Sequence, residues 1–318
     1  MKRMSWGKRI TGFLAAVLLC LTCCGEAVQA YGIVDTEAPT SLTLRYQDNG
    51  EGIEGAGFSL YRIGEISETG KYTLTEEFAG YPVSLDELDS SGWRSLAQTL
   101  AAYAQRDGIE PDRTGVTGSD GVLRFQDLDT GLFLVTGEKL EYQEKTYTAE
   151  SFICSLPGLS EDDTWQYDVE SSVKYECVTN PDLVSWQVVK VWKNDNESSR
   201  PDSIEVQLLK NGSVADTQVL SKENNWRYTW TGLDGASSWT VVEKTVPQGY
   251  QVSVAKEETS IIITNSGTSG KTTTSDGPEG NLPQTGVLWW PVPVLAAAGL
   301  LLFLAGWTRS RKQESENE

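Results

Sequence analysis

The sequence contains no histidine. Imidazole is the usual general base beside a nucleophilic serine or cysteine, and it is the commonest side-chain ligand of protein-bound metals. The absence argues against hydrolases of that type and against histidine-bound metal sites. We predict that the chain is not an enzyme acting on other molecules, that it holds no metal and that it needs no cofactor.

Basic residues are also scarce. Lysine and arginine number 26 against 45 aspartate and glutamate residues, which gives a formal net charge of −19. Such a chain repels phosphate groups rather than neutralising them, so we predict that it does not bind nucleic acid.

A long apolar run stands near the N-terminus. Four basic residues precede the run from Phe13 to Leu21, and Val28-Gln29-Ala30 then supplies small residues suited to a cleavage site. This order is typical of a secretory signal peptide, which we place at residues 1–30. A lipid-acceptor role for Cys23 or Cys24 is an alternative that the residues before them fit poorly.

A second apolar run, at residues 287–307, carries no charged side chain. At about 1.5 Å per residue it matches a hydrocarbon core of about 30 Å, which favours a transmembrane helix over a buried core helix. Arg309, Arg311 and Lys312 follow and would hold the C-terminus in the cytoplasm, with everything before the helix outside.

The pentapeptide before this run is Leu282, Pro283, Gln284, Thr285 and Gly286. With the apolar span and the basic tail, it resembles the cell-wall sorting signal of Gram-positive surface proteins. The resemblance implies that a sortase cleaves after the threonine and joins its carbonyl to an amine of peptidoglycan or of a neighbouring pilin subunit. The protein would then be secreted and anchored to the cell wall, with the membrane helix only a transient feature of the precursor.

The mature region predicts a mainly β chain of two tandem β-sandwich domains, at residues 31–178 and 183–266. Short alternating runs are separated by Gly, Asn, Asp and Ser turns, and Asn211-Gly212 is a strong hairpin signal. Residues 267–281 lack apolar side chains and read as a flexible linker before the sorting signal, which occupies residues 282–318.

Three segments of the second domain each place one polar residue on an apolar strand face, because side chains alternate with period two. These sets are Trp186, Val188, Lys190 and Trp192; Trp239, Val241 and Glu243; and Ile261, Ile263 and Asn265. Burial pushes a lysine toward its neutral amine and a glutamate toward its protonated acid. A neutral Lys190 could attack the Asn265 carboxamide while Glu243 shuttles protons, which would give an isopeptide bond with loss of ammonia.

The same segments resemble a collagen-adhesin B-type (Cna-B) domain, which has an immunoglobulin-like fold. "VVKVWKNDNESSRPDSIEVQLLKNG", "NNWRYTWTGL" and "ITNS" carry the resemblance, and "WTVVEKTVPQGY" resembles the E box of pilins. In that family a lysine, an asparagine and an acid form a spontaneous isopeptide bond, and the matching residues are Lys190, Asn265 and Glu243. The alternative is a buried Lys190–Glu243 ion pair, with Asn265 capping a strand end.

Residues 31–178 resemble the Cna-B-like first domain of sortase-assembled pilins, through "SLTLRYQDNGEGIEGAGFSLYRIG" and "GVLRFQDLDTGLFLV". An inserted helix is predicted, with an apolar stripe and with Ser90 or Ser91 as its cap. The stripe contains Trp93, Leu96, Ala97, Leu100 and Ala104.

This first domain lacks the residues for an isopeptide bond. No lysine occurs between Tyr31 and Gly70, Arg45 and Tyr46 fall near the expected lysine position, and Gly137 falls where the acid would stand. We predict no isopeptide bond of that geometry here. A disulfide between Cys154 and Cys177 could cross-link the domain instead, although their spacing does not show whether they meet.

Lys174, in "WQYDVESSVKYE", falls at the predicted end of the last strand of the first domain. Backbone pilins carry a lysine motif there that attacks the sortase acyl intermediate, but Ser172-Val173 replaces the usual Tyr-Pro, and an ordinary solvated lysine is the alternative. The predicted function is a wall-anchored pilin subunit or stalk with sortase as a partner. The alternative is a small adhesin whose first domain binds a host or bacterial ligand.

Overall fold

The computed structural model describes residues 32–86, 88–142, 145–160, 162–179 and 183–268. We call residues 32–179 the N-region and residues 183–268 the C-region. The predicted signal peptide, most of the linker and the sorting signal with its transmembrane helix lie outside the described residues. Within the described ranges, none of the helices has the length and apolar character needed to cross a membrane.

The N-region is built mainly from strands, as the sequence predicts. Two helices interrupt them, α1 (Glu76–Ala79) and α2 (Ser90–Asp107). The strands are β1 (Thr40–Arg45), β2 (Gln47–Asp48), β3 (Glu51–Gly52), β4 (Gly57–Ile66), β5 (Tyr72–Leu74), β6 (Arg113–Val116), β7 (Val122–Leu128), β8 (Gly131–Gly137), β9 (Leu140–Tyr142), β10 (Lys145–Ala149), β11 (Phe152–Leu156), β12 (Gly158–Leu159), β13 (Trp165–Gln166), β14 (Asp168–Ser172) and β15 (Tyr175–Thr179).

The main sheet of the N-region has the order β11-β8-β4-β5, with β6 added on β4. One face of it contributes Phe58 and Phe133 to a core shared with β1, and the other face contributes Ile63 and Leu134 to a core shared with α2. Burial on both faces explains why residues 131–135 of β8 read as a continuous buried run.

Two smaller three-stranded sheets, with the orders β14-β1-β7 and β15-β10-β9, and the two-stranded sheets β2-β3 and β12-β13 complete the described part of the N-region. In the first, β14 runs parallel to β1 and β7 runs antiparallel to it.

Helix α2 confirms the predicted inserted helix, and all five residues of its predicted stripe are buried. The predicted serine caps are wrong. Asp89 is the N-cap and accepts a hydrogen bond of 2.7 Å from the Gly92 N–H, whereas Ser91 donates to the Asp89 carboxylate. A carboxylate at this position satisfies a free amide and also interacts favourably with the positive end of the helix dipole.

The C-region contains two sheets, with the orders β19-β16-β22-β21 and β18-β17-β20. Its strands are β16 (Leu183–Lys193), β17 (Ser203–Lys210), β18 (Ser213–Ser221), β19 (Arg227–Asp234), β20 (Trp239–Glu243), β21 (Tyr250–Glu257) and β22 (Ser260–Gly267). The predicted Asn211-Gly212 hairpin joins β17 to β18, and both turn residues have positive φ, 49° and 82°, as a two-residue turn requires.

Both sheets of the C-region contribute to one buried cluster, which is the layer arrangement of a sandwich. Val188 and Ile263 come from one sheet, and Val206 and Val241 come from the other. Tyr103 of α2 belongs to the same cluster, so the helix closes a side of the C-region core as well as the core of the N-region.

Candidate functional site

The three residues singled out in the C-region come from both of its sheets. Lys190 lies on β16 and Asn265 on β22, which are parallel neighbours, with Lys190 opposite Ile263 and Asn265 opposite Trp192. Glu243 ends β20 in the other sheet, opposite Val206 of β17. The period-two alternation places all three side chains toward the shared interior.

The interior around these residues is apolar and closed to solvent. Lys190 is 4% exposed, and Glu243 and Asn265 are 0% exposed. An isolated charge in such surroundings is costly, so these groups are stable there only as a hydrogen-bonded pair or in uncharged forms.

The Glu243 carboxyl lies between the other two side chains. Its Oε2 is 3.2 Å from Lys190 Nζ, and its Oε1 accepts a 3.0 Å hydrogen bond from Asn265 Nδ2. Lys190 Nζ, Glu243 Oε2 and Asn265 Oδ1 are all buried, and apart from the 3.2 Å contact between the first two, none of the three has a partner in the part of the chain that the structure describes. Each such atom costs about 1–3 kcal/mol, which makes the unlinked arrangement an expensive one.

Burial shifts both ionisable groups toward their uncharged forms. It lowers the pKa of Lys190 to about 8, and the nearby Glu243 carboxyl only partly opposes the shift. Burial raises the pKa of Glu243, again with partial opposition from Lys190 and Asn265. Both shifts favour a neutral amine beside a protonated acid, which is the combination that nucleophilic attack by a lysine requires.

Trp192 covers the amine from one side. Lys190 Nζ lies 4.6 Å from the centre of its ring, which contacts the rings of Trp226 and Tyr250 at centroid distances of 5.3 and 5.1 Å. The sequence pattern placed Trp192 on the same face as Lys190, and the structure shows that it helps to exclude water from the amine.

Sequence reasoning missed the part of the site that comes from α2. The Tyr103 hydroxyl donates to the backbone carbonyl of Glu243 at 3.4 Å. Tyr103 lies 140 residues before Glu243 in the chain, and it is not among the five residues of the predicted helical stripe. No local pattern identifies a contact of this kind.

The corresponding place in the N-region is filled by aromatic rings. Tyr46 is buried and contacts Phe58 edge-to-face at 5.4 Å, while Arg45 points outward and pairs with Glu170. A Cβ on Gly137 would approach the Phe58 ring to 2.9 Å, which leaves no room for an acid. The absence of an isopeptide bond from the N-region stays a prediction, and this packing supports it.

Removing the hydroxyl group from each of two tyrosines of this aromatic cluster should change the free energy of unfolding in opposite directions. The Tyr46 hydroxyl is buried without a hydrogen-bond partner, whereas the Tyr147 hydroxyl donates to Asp48 at 2.7 Å. We expect Tyr46→Phe to raise the free energy of unfolding by about 1 kcal/mol and Tyr147→Phe to lower it by about 1 kcal/mol. Urea unfolding of the two variants measures both changes, and a destabilised Tyr46→Phe variant would contradict the assignment.

The suggested disulfide between Cys154 and Cys177 is not formed, and both cysteines are free. Cys154 is fully buried on β11, where it faces Phe133 of β8. Cys177 is exposed on β15, which belongs to a different sheet. The two side chains therefore occupy different environments, and the suggested cross-link of the N-region is wrong for this structure.

Lys174 lies between β14 and β15 with its side chain exposed. Its backbone carbonyl accepts a 2.8 Å hydrogen bond from the Glu150 N–H, which ties this part of the backbone to the segment between β10 and β11. The expectation that it ends the last strand needs correction, because β15 follows it directly. The sorting residues Leu282, Pro283, Gln284, Thr285 and Gly286 lie outside the described residues.

Comparison with known proteins finds a similarity to one family in the C-region. Residues 186–266 match the Cna protein B-type domain. A curated relative, the collagen adhesin of Staphylococcus aureus, is 28% identical over 217 residues, which is 64% of this chain. The chain spans only 16% of the length of that relative.

Solved structures give weaker matches over most of the chain. A single B repeat unit of the Staphylococcus aureus collagen-binding surface protein is 19% identical with a TM-score of 0.26, covering 73% of this chain and 98% of the other. The full-length major pilin SpaD of Corynebacterium diphtheriae is 13% identical with a TM-score of 0.28, covering 74% and 99%.

Proposed function

We propose that this protein is a structural component of a Gram-positive cell surface, a pilin subunit or stalk, stiffened by an isopeptide bond between Lys190 and Asn265. The observation that carries the proposal is the position of the Glu243 carboxyl, which contacts the attacking amine at 3.2 Å and the leaving amide nitrogen at 3.0 Å. The Cna protein B-type domain at residues 186–266 supports it.

The reaction needs no other reactant. The neutral Lys190 Nζ attacks the side-chain carbonyl carbon of Asn265, and the new carbon–nitrogen bond forms. Glu243 takes a proton from Nζ and delivers one to Nδ2, so the original carbon–nitrogen bond breaks and ammonia leaves. The carboxyl group ends in the protonation state in which it began, as a proton shuttle must.

The position of the bond suits a load-bearing role. Lys190 and Asn265 lie on the first and last strands of the C-region, which are parallel neighbours. A pulling force that enters at one end of the C-region would leave at the other through the covalent link, without extending the strands between them. A noncovalent β-sheet under the same force would separate its strands.

The two-domain arrangement and the attachment chemistry belong to the same proposal. The N-region and C-region would be tandem Cna-B-like domains, and a sortase would join Thr285 to peptidoglycan or to a neighbouring subunit. Lys174 would supply the acceptor amine for polymerisation, a role that its exposure on the N-region permits. The precursor would pass through the membrane and remain attached by its C-terminal helix until the sortase acts.

A peptide map of the full chain tests the bond directly. Trypsin does not cleave at a modified lysine, so we expect residues 175–193 to be recovered linked to residues 257–271, with the pair lighter by one ammonia. Mass spectrometry with fragmentation identifies the linked residues. Recovery of residues 175–190 as a free peptide from folded protein would show that the amine is unmodified and that the proposal is wrong.

A second candidate function is adhesion. The observation that favours it is the 28% identity over 217 residues to a protein named as a collagen adhesin. In this function the N-region would bind a host or bacterial ligand and the C-region would serve as its stalk. Saturable binding of the full chain to immobilised collagen, unchanged by Lys190→Ala, would favour adhesion over a purely structural role.

A further inference from the structure

The N-region covers a strand edge next to the proposed bond. Strand β21 is at the end of its sheet, and its free N–H groups would otherwise face solvent. Three alternate N–H groups instead donate to acceptors of the N-region: Val252 N to Pro82 O at 2.8 Å, Val254 N to Thr99 Oγ1 at 2.8 Å, and Lys256 N to Gln98 Oε1 at 2.9 Å. Val252 is the residue opposite Asn265.

Helix α2 also holds the strand that carries the acid. Tyr103 and Arg106 both donate to the backbone carbonyl of Glu243, at 3.4 and 3.5 Å, and Arg106 also donates to the carbonyl of Lys244 at 3.5 Å. The Arg106 guanidinium lies 4.6 Å from the centre of the Tyr103 ring. Two side chains of one helix therefore converge on the residue at which β20 ends.

The Tyr103 ring adds a barrier to water. Tyr103 is 2% exposed and belongs to the same buried cluster as Val241 and Ile263, which flank the acid and the asparagine. Removing the helix would expose this side of the cluster. Helix α2 therefore forms hydrogen bonds with β20, which carries Glu243, and with β21, which pairs with the strand of Asn265. It also covers the interior between these strands.

We infer that α2 is a positioning element for the isopeptide reaction, with Tyr103 as the residue that fixes Glu243 between the lysine and the asparagine. The inference rests on the proposed function, since it concerns the residue that would shuttle protons there. It implies that the C-region is not a complete reaction unit, and that the bond forms efficiently only after the N-region has docked. The two regions would then be joined rigidly before the link becomes permanent.

Positioning of Glu243 matters because the reaction requires short distances between the carboxyl group and the two nitrogen atoms. One carboxyl must contact two nitrogen atoms at 3.0 and 3.2 Å at the same time. A displacement of about 1 Å is enough to slow such a reaction about a hundredfold, because the reacting atoms lose their alignment. Glu243 stands at the last position of β20, where strand pairing alone restrains the backbone on one side only.

The test follows bond formation in newly made chains. The full chain is produced by cell-free translation, adjusted to buffers between about pH 5 and pH 9, a range that includes the Lys190 pKa of about 8, and quenched at intervals. The linked tryptic pair is then quantified. The variants are Tyr103→Phe, which keeps the ring and removes the hydroxyl, and Tyr103→Ala, which also opens the site to water. Tyr81→Phe is the control, because its ring stacks on Tyr103 while its hydroxyl donates to Asp107.

We expect Tyr103→Phe to slow bond formation about two- to tenfold, the effect of one lost hydrogen bond, and Tyr81→Phe to match the wild-type rate. Tyr103→Ala should be slower still. For Tyr103→Ala, the alkaline limb of the profile of rate against pH should also shift to lower pH, because hydration favours the ionised form of Glu243. A role in general folding alone would not move that part of the profile.

The outcomes separate the two proposals. If wild-type chains never form the linked pair, both the proposed bond and this inference are wrong. Wild-type chains that link while both Tyr103 variants link at the same rate and with the same pH profile would overturn only the inference. If Tyr103→Ala fails to fold, Tyr103→Phe decides the question, since it preserves the packed ring.

Discussion

Lys190→Ala is expected to remove the cross-link and to lower the thermal stability of the C-region strongly. A bond between residues 190 and 265 closes a loop of roughly 75 residues, for which the chain-entropy relation used for disulfides gives about 4–5 kcal/mol. For a domain of this size the loss corresponds to a fall in Tm of about 15 °C or more. Calorimetry of the full chain measures it, together with the intact mass, which should no longer show a deficit of one ammonia.

Two further variants separate the loss of the bond from the loss of side-chain volume. Lys190→Met keeps most of the aliphatic volume and has no amine, so it should lose the link while leaving a smaller cavity. Glu243→Gln keeps the shape of the acid but cannot shuttle protons, so Lys190 should be recovered unmodified. Lys193→Ala, at an exposed lysine on the same strand, is the matched control and should retain both the mass deficit and the wild-type Tm. Equal melting of Lys190→Met and wild type would contradict a stabilising link.

Lys174→Arg is expected to abolish polymer formation on the cell surface. The neutral amine of a lysine can attack an acyl-enzyme intermediate, whereas a guanidinium remains protonated and is not a nucleophile. We expect wall extracts of cells that make the wild-type protein to show a ladder of boiling-resistant multimers on an immunoblot. The Lys174→Arg variant should show only the wall-linked monomer, because its own Thr285 can still be joined to peptidoglycan.

Lys71→Arg provides the matched control for this experiment. Lys71 is another exposed lysine of the N-region, so the substitution repeats the chemical change at a different site. Its ladder should equal that of the wild type. A ladder that survives Lys174→Arg would assign the acceptor amine to another lysine, and a single band in the wild type would indicate an anchored monomer or a basal subunit.

Several features of the fold could be predicted because they depend on neighbouring residues only. The inward faces that carry Lys190, Glu243 and Asn265 follow from the alternation of side chains along a strand, and all three residues are buried as expected. The α2 stripe follows from helical periodicity. The turn at Asn211 follows from the Asn-Gly pair, because these two residue types readily adopt the left-handed backbone conformation that the turn requires. The helix cap was assigned to the wrong residue because Asp89, Ser90 and Ser91 all suit an N-cap, and only the path of the backbone distinguishes them.

The sequence by itself determined the polarity pattern of each strand, the inserted helix and the motifs at the two ends of the chain, since these depend on local geometry and composition. Only the tertiary structure decided that one carboxyl lies between the amine and the amide, that Cys154 and Cys177 stay apart, and that Tyr103 reaches Glu243 from the other region. These are contacts between segments far apart in the chain. They arise from the way whole sheets and a helix pack together, which no short window of sequence encodes.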